Sequence, residues 1–301
     1  MKILRSIDEL RELDCPVHLA MGFFDGVHRG HRRVIASADT PGALRAVLTF
    51  AQHPLALLAP EKQPPLLTPD AAQKAALLES AGAEVLLLQP FTRELAAMSP
   101  RAFLDTLTET GWVVGFSVGR NWRFGAQGTG DAAFLMAYAA EHGLRAVINN
   151  LAEWRGERIC SSCIRELLAE GNLTAAAEML GHPFSIAGRV EQGQHLARTL
   201  GFPTANIAVA QPAALPPFGV YAAETLVNGT RYRAVANLGI RPTIEESEKV
   251  VRLETHLLDF CGDLYAQPLC VELTRFIRPE QKFASVEALR AQIAQDMAAA
   301  R

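Results

Sequence analysis

The run GFFDGVHRGH, Gly22 to His31, carries two imidazoles three residues apart, His28 and His31. It follows a strand-like segment, and its glycines mark a turn that enters a helix. At i and i+3 both rings share one helix face. The free amides of the first turn and the positive end of the helix dipole point to the same place, which suits an anion such as a triphosphate. There two histidines can donate hydrogen bonds to phosphoryl oxygens as charge builds in a transition state. Phosphoryl and nucleotidyl transfer need no protein nucleophile, because they depend mostly on positioning and charge stabilisation. Spacing alone also leaves open a metal-binding pair, or a merely exposed one.

Three other runs have chemistry to offer. In CSSCIRELL, Ser161 and Ser162 precede a helix and can cap it while presenting donors to a phosphate, and Arg165 adds a charge-assisted donor. Cys160 and Cys163 in the same run spell CxxC, the spacing of a redox dithiol or of half a zinc site. Cys15, Cys261 and Cys270 are isolated and read as packed thiols. GFPTAN, Gly201 to Asn206, reads by itself as a Pro-punctuated turn capped by Asn. In RLETH the strand period of two puts Arg252, Glu254 and His256 on one face and Leu253, Thr255 and Leu257 on the other. By itself such a polar face reads as the solvent side of a strand.

Elements of two kinds must position these groups. In the first half strands are expected at 16–21, 44–50, 84–88, 111–118 and 144–149, alternating with a helix that continues from the turn through 32–38 and helices at 70–80 and 100–108. Ser99 reads as the N-cap of the last, with Pro100 at its first position. Such alternation implies a doubly wound parallel sheet with ligands at the carboxyl ends of its strands. Residues 164–180 are helical, and Gly181 is a C-cap. Strands then follow at 185–191, 220–227, 232–238, 252–258 and 269–276, with Asn228-Gly229 as a type I′ hairpin turn, and an amphipathic helix from Ser285 to about Ala299 closes the chain. A β-barrel or sandwich fits this half, so the domains are expected to be 1–181 and 182–301.

The bulk numbers agree. The chain has 301 residues, 49% hydrophobic and 20% charged, with a net charge of −3, so it lacks the global basic field typical of nucleic-acid binders. Five cysteines, an odd number, do not form a secreted disulfide framework. The N-terminal MKILRSIDELRELDCPVHLA alternates charged and apolar residues at helical spacing and has no signal-peptide core, and apolar runs such as 85–88 are too short to span a bilayer. A soluble, reduced, cytoplasmic protein is expected, without nucleic-acid or membrane partners; protein partners are open.

HRGH resembles the HxGH signature of the nucleotidyltransferases, and FDGVHRGH in its longer form resembles the bacterial bifunctional riboflavin kinase/FAD synthetase family. TFAQHP, VGRNWRFG, GTGD and CSSCIRELL follow in family order, and in the second half so do GFPTAN, FGVYAAE, NLGIRPTI, RLETHLLDF and FIRPEQKF. The resemblance spans about residues 15 to 300 and implies a nucleotidyltransferase-like α/β domain followed by a riboflavin kinase barrel with a C-terminal helix. It implies phosphorylation of riboflavin to FMN and adenylylation of FMN to FAD, with ATP as co-substrate, Mg²⁺ as cofactor and riboflavin, FMN and FAD as ligands.

By the same resemblance His28, His31 and Glu254 are catalytic. Gly22, Phe24, Asp25, Gly30, Asn121, Ser161, Ser162 and Arg165 hold ATP in the first domain; Gly193, Arg198, Thr204 and Asn206 do so in the second, the last two also holding Mg²⁺. His53, Asn121, Phe124 and Arg252 contact flavin. The chain departs from the family pattern at Ala51-Gln52, usually Asp-Pro, in the cysteines of CSSCIR, in the lack of a basic residue after RFG, and at Ala197, usually Gly. Two alternatives stand beside the bifunctional reading: a riboflavin kinase with a degenerate transferase domain, which the TFAQHP and CSSC departures permit, and, from a different class, a non-catalytic flavin-binding regulatory protein. A generic cytidylyltransferase would leave GFPTAN unexplained.

Overall fold

The computed structural model describes residues 1–192, 202–242 and 249–301. Gly193 and Arg198, expected at the second nucleotide site, lie outside the described residues, as do Ala197 and Gly201. Two compact units are present: residues 1–64 with 74–161, and residues 65–73 with 162–301.

The first unit is built on six parallel strands, β1 (Lys2–Leu4), β2 (Val17–Met21), β3 (Leu44–Phe50), β4 (Val85–Gln89), β5 (Val113–Gly119) and β6 (Arg145–Asn149), in the order β1-β4-β3-β2-β5-β6. Its helices are α1 (Arg29–Ala36), α2 (Pro54–Leu58), α3 (Ala71–Ser80), α4 (Arg93–Ala97), α5 (Pro100–Thr108) and α6 (Ala132–Glu141); α3 begins in the 65–73 segment of the other unit. All five residues of β2 are buried, as a strand covered on both faces requires. The winding reverses between β2 and β5, so the crevice for a ligand opens beyond Met21 and Gly119. Apolar residues pack in two clusters, one around Leu19, Leu48 and Phe116 and the other around Ala20, Val47 and Leu86. Successive residues of one strand thus feed opposite layers. Ser99 Oγ accepts from the Ala102 amide at 3.2 Å with Pro100 behind it, the expected cap.

The helical spacing of the N-terminus resolves into β1 and a short 3₁₀ segment, Ile7–Glu12, because Lys2 to Leu4 find parallel partners in Val85 to Leu87. A small hairpin, β7 (Glu153–Trp154) and β8 (Glu157–Arg158), precedes α7 (Ser161–Ala169) and α8 (Leu173–Leu180), which Gly181 ends at φ 81°.

The second unit holds a closed antiparallel barrel rather than a sandwich. Its strands are β9 (Ser185–Glu191), β10 (Ala205–Ala208), β11 (Gly219–Val227), β12 (Thr230–Pro242), β13 (Lys249–Leu257) and β14 (Pro268–Arg278), joined as β10-β13-β12-β11-β14-β9. Asn228 and Gly229 have φ of 49° and 80° between the paired Val227 and Thr230, the geometry of the expected two-residue hairpin. The last helix, α9 (Val286–Ala300), is capped by Ser285 Oγ, and Asp296 on it forms a buried pair with Arg278 at 2.7 Å. Among the described residues no helix is long and apolar enough to cross a membrane.

Candidate active sites

The turn from β2 into α1 is tight enough to force three positive φ angles, 55° at Phe24, 79° at Gly26 and 40° at Val27. A β-branched residue there stores strain, about 1–3 kcal/mol by general experience. Hydrogen bonds hold it in place: Thr49 Oγ1 donates to the Phe23 carbonyl at 2.8 Å, and Ser161 Oγ to the Asp25 carbonyl at 3.0 Å. His28 is itself the N-cap of α1, its Nδ1 accepting from the His31 amide at 3.2 Å. That bond fixes the tautomer, leaving the proton on Nε2 as a donor. The rings of His28 and His31 stack at 3.5 Å, and Gly30 makes room for them, since a Cβ there would stand 3.1 Å from His28 Cε1.

Beyond this turn lies a cavity of about 310 Å³, lined by Phe23, His28, His31, Asn121, Arg158 and Ser161 among others. It lies at the β2/β5 reversal. His31 Nδ1 is buried in its wall with no hydrogen-bond partner among the described residues. Burial first, then the neighbouring His28 and Lys74, hold the His31 pKa well below its ordinary value, so the ring is neutral at pH 7. A buried polar nitrogen without a partner is costly unless a ligand completes it.

Of the residues singled out for the first domain, Gly22, Phe24, Gly30 and Asn121 also line this cavity. Asp25 does not; it is 5% exposed, and its backbone rather than its carboxylate is tied to Ser161. Phe124 is packed in the core, stacked on Trp122 at 4.4 Å, so it stiffens the Asn121 loop instead of facing the cavity. His53 caps α2 and meets the Phe23 ring edge-on at 4.6 Å, one ring removed from the cavity. On α7, Arg165 donates to Ser162 Oγ at 3.0 Å. Cys160 and Cys163 are both disulfide-bonded, so the CxxC pair is neither a free dithiol nor a zinc half-site here. Cys261 and Cys270 are exposed, not packed. Sequence reasoning passed over Arg123 and Arg158, two exposed cations lining the cavity. For Arg158 the available signal was its place two residues before Cys160-Ser161.

The barrel has its own cavity of about 400 Å³, lined by Thr204, Asn206, Thr255, Phe260, Asp263 and Tyr265 among others. Asn206 is 7% exposed, and its Nδ2 donates to the Thr204 carbonyl at 3.2 Å. Its Oδ1 and Thr204 Oγ1 are therefore a pair of neutral oxygen donors. Among the described residues no three His, Cys, Asp or Glu side chains group to hold a metal. Two neutral oxygens and no cage fit Mg²⁺ held mainly by water and substrate phosphates.

Glu254 stands opposite Asn206 in the β10–β13 ladder and opposite Asn237 in β12–β13. The expected alternation of β13 is present: Leu253 and Thr255 are fully buried, and Arg252, Glu254 and His256 are on the more open face. On that face Arg252 pairs with Glu191 at 2.8 Å, and His256 Nδ1 meets the Pro203 carbonyl at 2.8 Å. The cavity therefore takes Thr255 from β13, a residue not foreseen as functional, and its buried Oγ1 has no partner among the described residues.

Comparison with known proteins adds a second line of information. The FAD synthetase family model matches residues 10–163 and the riboflavin kinase family model residues 180–301. The bifunctional riboflavin kinase/FMN adenylyltransferase of Escherichia coli strain K12 is 39% identical over 310 residues, covering 100% of this chain and 97% of its own. That of Bacillus subtilis strain 168 is 34% identical over 288 residues, covering 92% and 89%. Among solved structures, one described as a macrolide-efflux protein from Streptococcus pneumoniae matches with a TM-score of 0.80 at 26% identity, over 99% of this chain and 98% of its own.

Proposed function

The chain belongs to the bifunctional riboflavin kinase/FMN adenylyltransferase family, and we propose that it performs both reactions, phosphorylating riboflavin to FMN and adenylylating FMN to FAD. We assign adenylyl transfer to residues 1–181 and the kinase to residues 182–301. The observation that carries the reading is the neutral His31 with its buried, unpartnered Nδ1 in a cavity at the reversal of the parallel sheet. Relatives named for both activities, matching 100% and 92% of this chain, support the pairing, and neither alternative has such support.

In the adenylyl transfer a phosphate oxygen of FMN attacks the α-phosphorus of ATP, and pyrophosphate leaves. His28 Nε2–H and the first-turn amides of α1 would donate to the developing charge, with Gly22, Phe24 and Gly30 shaping the cavity and Asn121 orienting nucleotide or flavin. Ser161, Ser162 and Arg165 keep the second phosphate grip that the family register gives them. In the kinase the terminal ribityl hydroxyl attacks the γ-phosphorus, ADP leaves, and Glu254 accepts the hydroxyl proton. Thr204 and Asn206 would hold Mg²⁺, which neutralises charge on the phosphates. Arg252 is assigned to flavin on the same face as Glu254. The proposal places the enzyme in the cytoplasm, where ATP and Mg²⁺ are abundant.

The test is chromatography of flavins after incubating the protein with ATP, Mg²⁺ and either riboflavin or FMN. FMN from riboflavin and FAD from FMN are expected. FMN without FAD would reduce the first domain to a degenerate transferase, and no product from either flavin would point to a binding protein.

A further inference from the structure

Lys74 lies on α3 at a position that faces inward, four residues before the fully buried Leu78, and is itself 6% exposed. An ammonium has three donors and is rarely buried without partners. Among the described residues, Nζ meets the Phe50 carbonyl at 3.4 Å and the face of the Phe23 ring, 3.9 Å from its centroid. Phe23 is a wall of the adenylyl-transfer cavity, and its carbonyl is the one held by Thr49. The turn brings Asp25 close enough to favour the charged ammonium, α1 brings His31, and His53 meets the Phe23 ring from the side. The charge is therefore buried beneath the surface that would receive four negative charges from ATP.

We propose that Lys74 is a positioning residue for adenylyl transfer: its buried ammonium braces Phe23 and supplies a positive charge behind the histidine pair that the triphosphate completes. The inference rests on the function proposed above for this cavity. Burial lowers the Lys74 pKa to about 7, with Asp25 opposing the shift. A bound polyanion reinforces Asp25, so ATP draws a proton from solvent onto Nζ. At pH 8 only about a tenth of the free enzyme carries that proton, whereas at pH 6 nearly all does. The uptake linked to Lys74 is thus large at pH 8 and vanishes at pH 6. Neutral His31 would take up protons mainly at the acid end, so the two sources have opposite pH trends.

The experiment is calorimetric titration of the full chain with Mg·ATP, without flavin so that neither reaction turns over, in two buffers of different ionisation enthalpy at pH 6 and pH 8. The wild type, Lys74→Met and Lys74→Arg are compared. Wild type is expected to take up at least about half a proton more than either variant at pH 8, with no difference at pH 6. With FMN present, kcat for FAD formation by Lys74→Met should fall about tenfold or more and Lys74→Arg should recover part of it, while FMN formation from riboflavin stays within twofold and reports intact folding. Equal proton uptake in wild type and Lys74→Arg, or an undiminished rate in folded Lys74→Met, overturns the inference. If Lys74→Met does not fold, Lys74→Arg decides through the proton count. Wild type that makes no FAD would overturn the assigned reaction instead, and the proton count would still test Lys74.

Discussion

Replacing Glu254 by Gln keeps the side chain's shape and removes only its ability to accept a proton. FMN formation should fall about 10²- to 10⁴-fold, the usual worth of a general base, while FAD formation from supplied FMN is unchanged. His28→Ala should do the reverse; either variant losing both activities while still folded would refute the division of labour. His18 belongs to the same scale but to stability. It is fully buried in β2, between Thr40 Oγ1 at 2.8 Å and Ser117 Oγ at 2.9 Å, and burial lowers its pKa. The unfolded chain therefore binds a proton that the folded chain resists. Stability is full above the unfolded value near 6.5 and declines as pH falls below it, by at most about 1.4 kcal/mol per pH unit for one such proton. Denaturant unfolding between pH 7 and pH 5 should show this decline, and His18→Asn should show less of it; identical slopes would exclude His18 as the cause.

Among the elements, α1 separates activity from stability most sharply. Gly30→Ala improves helix propensity by up to about 1 kcal/mol, yet its Cβ would press on His28, at 3.1 Å from Cε1 and 3.2 Å from Nδ1. FAD formation should fall at least about tenfold with the melting temperature unchanged or raised, measured by flavin chromatography and thermal scanning on one preparation. The HRGH run was legible because strand, turn, helix start and chemistry all fall within ten residues. β3 and β9 were legible for a similar reason, their bounds being set by apolar runs ended by Phe50-Ala51 and begun after Pro183. β10 was not: its four residues follow Pro203 and read as a turn, and only pairing with β13 and β9 makes them a strand. His18, Lys74 and Thr255 were hidden for another reason. Each is a polar residue on an apolar face, and what it faces comes from an element far away in sequence.

Across the whole chain, periodicity and compactness divide the molecule differently. The change to strand spacing after Gly181 marks where the barrel's own strands begin, but compactness joins α7, α8 and residues 65–73 to them. Gln73 Nε2 donates to the Ser185 carbonyl at 2.8 Å, and α8 packs on β14 with Ala176, Met179 and Leu180 at 0%, 1% and 1% exposure. Full burial of a side chain such as Met or Leu contributes about 1.5–3 kcal/mol each. A fragment 182–301 lacks α8 and should melt at least about 10 °C below a fragment 162–301, given the few degrees lost per kcal/mol in a domain of this size. Both fragments retain Glu254 on the open face of β13 and the barrel cavity with Thr204 and Asn206, so the kinase rate per folded molecule should be equal in the two. Equal melting temperatures would mean that α8 is an appendage to the barrel, and the chain could then be cut at Gly181 without loss. A lower rate in the shorter fragment, at a temperature where both are folded, would mean instead that α8 also sets the geometry around Glu254.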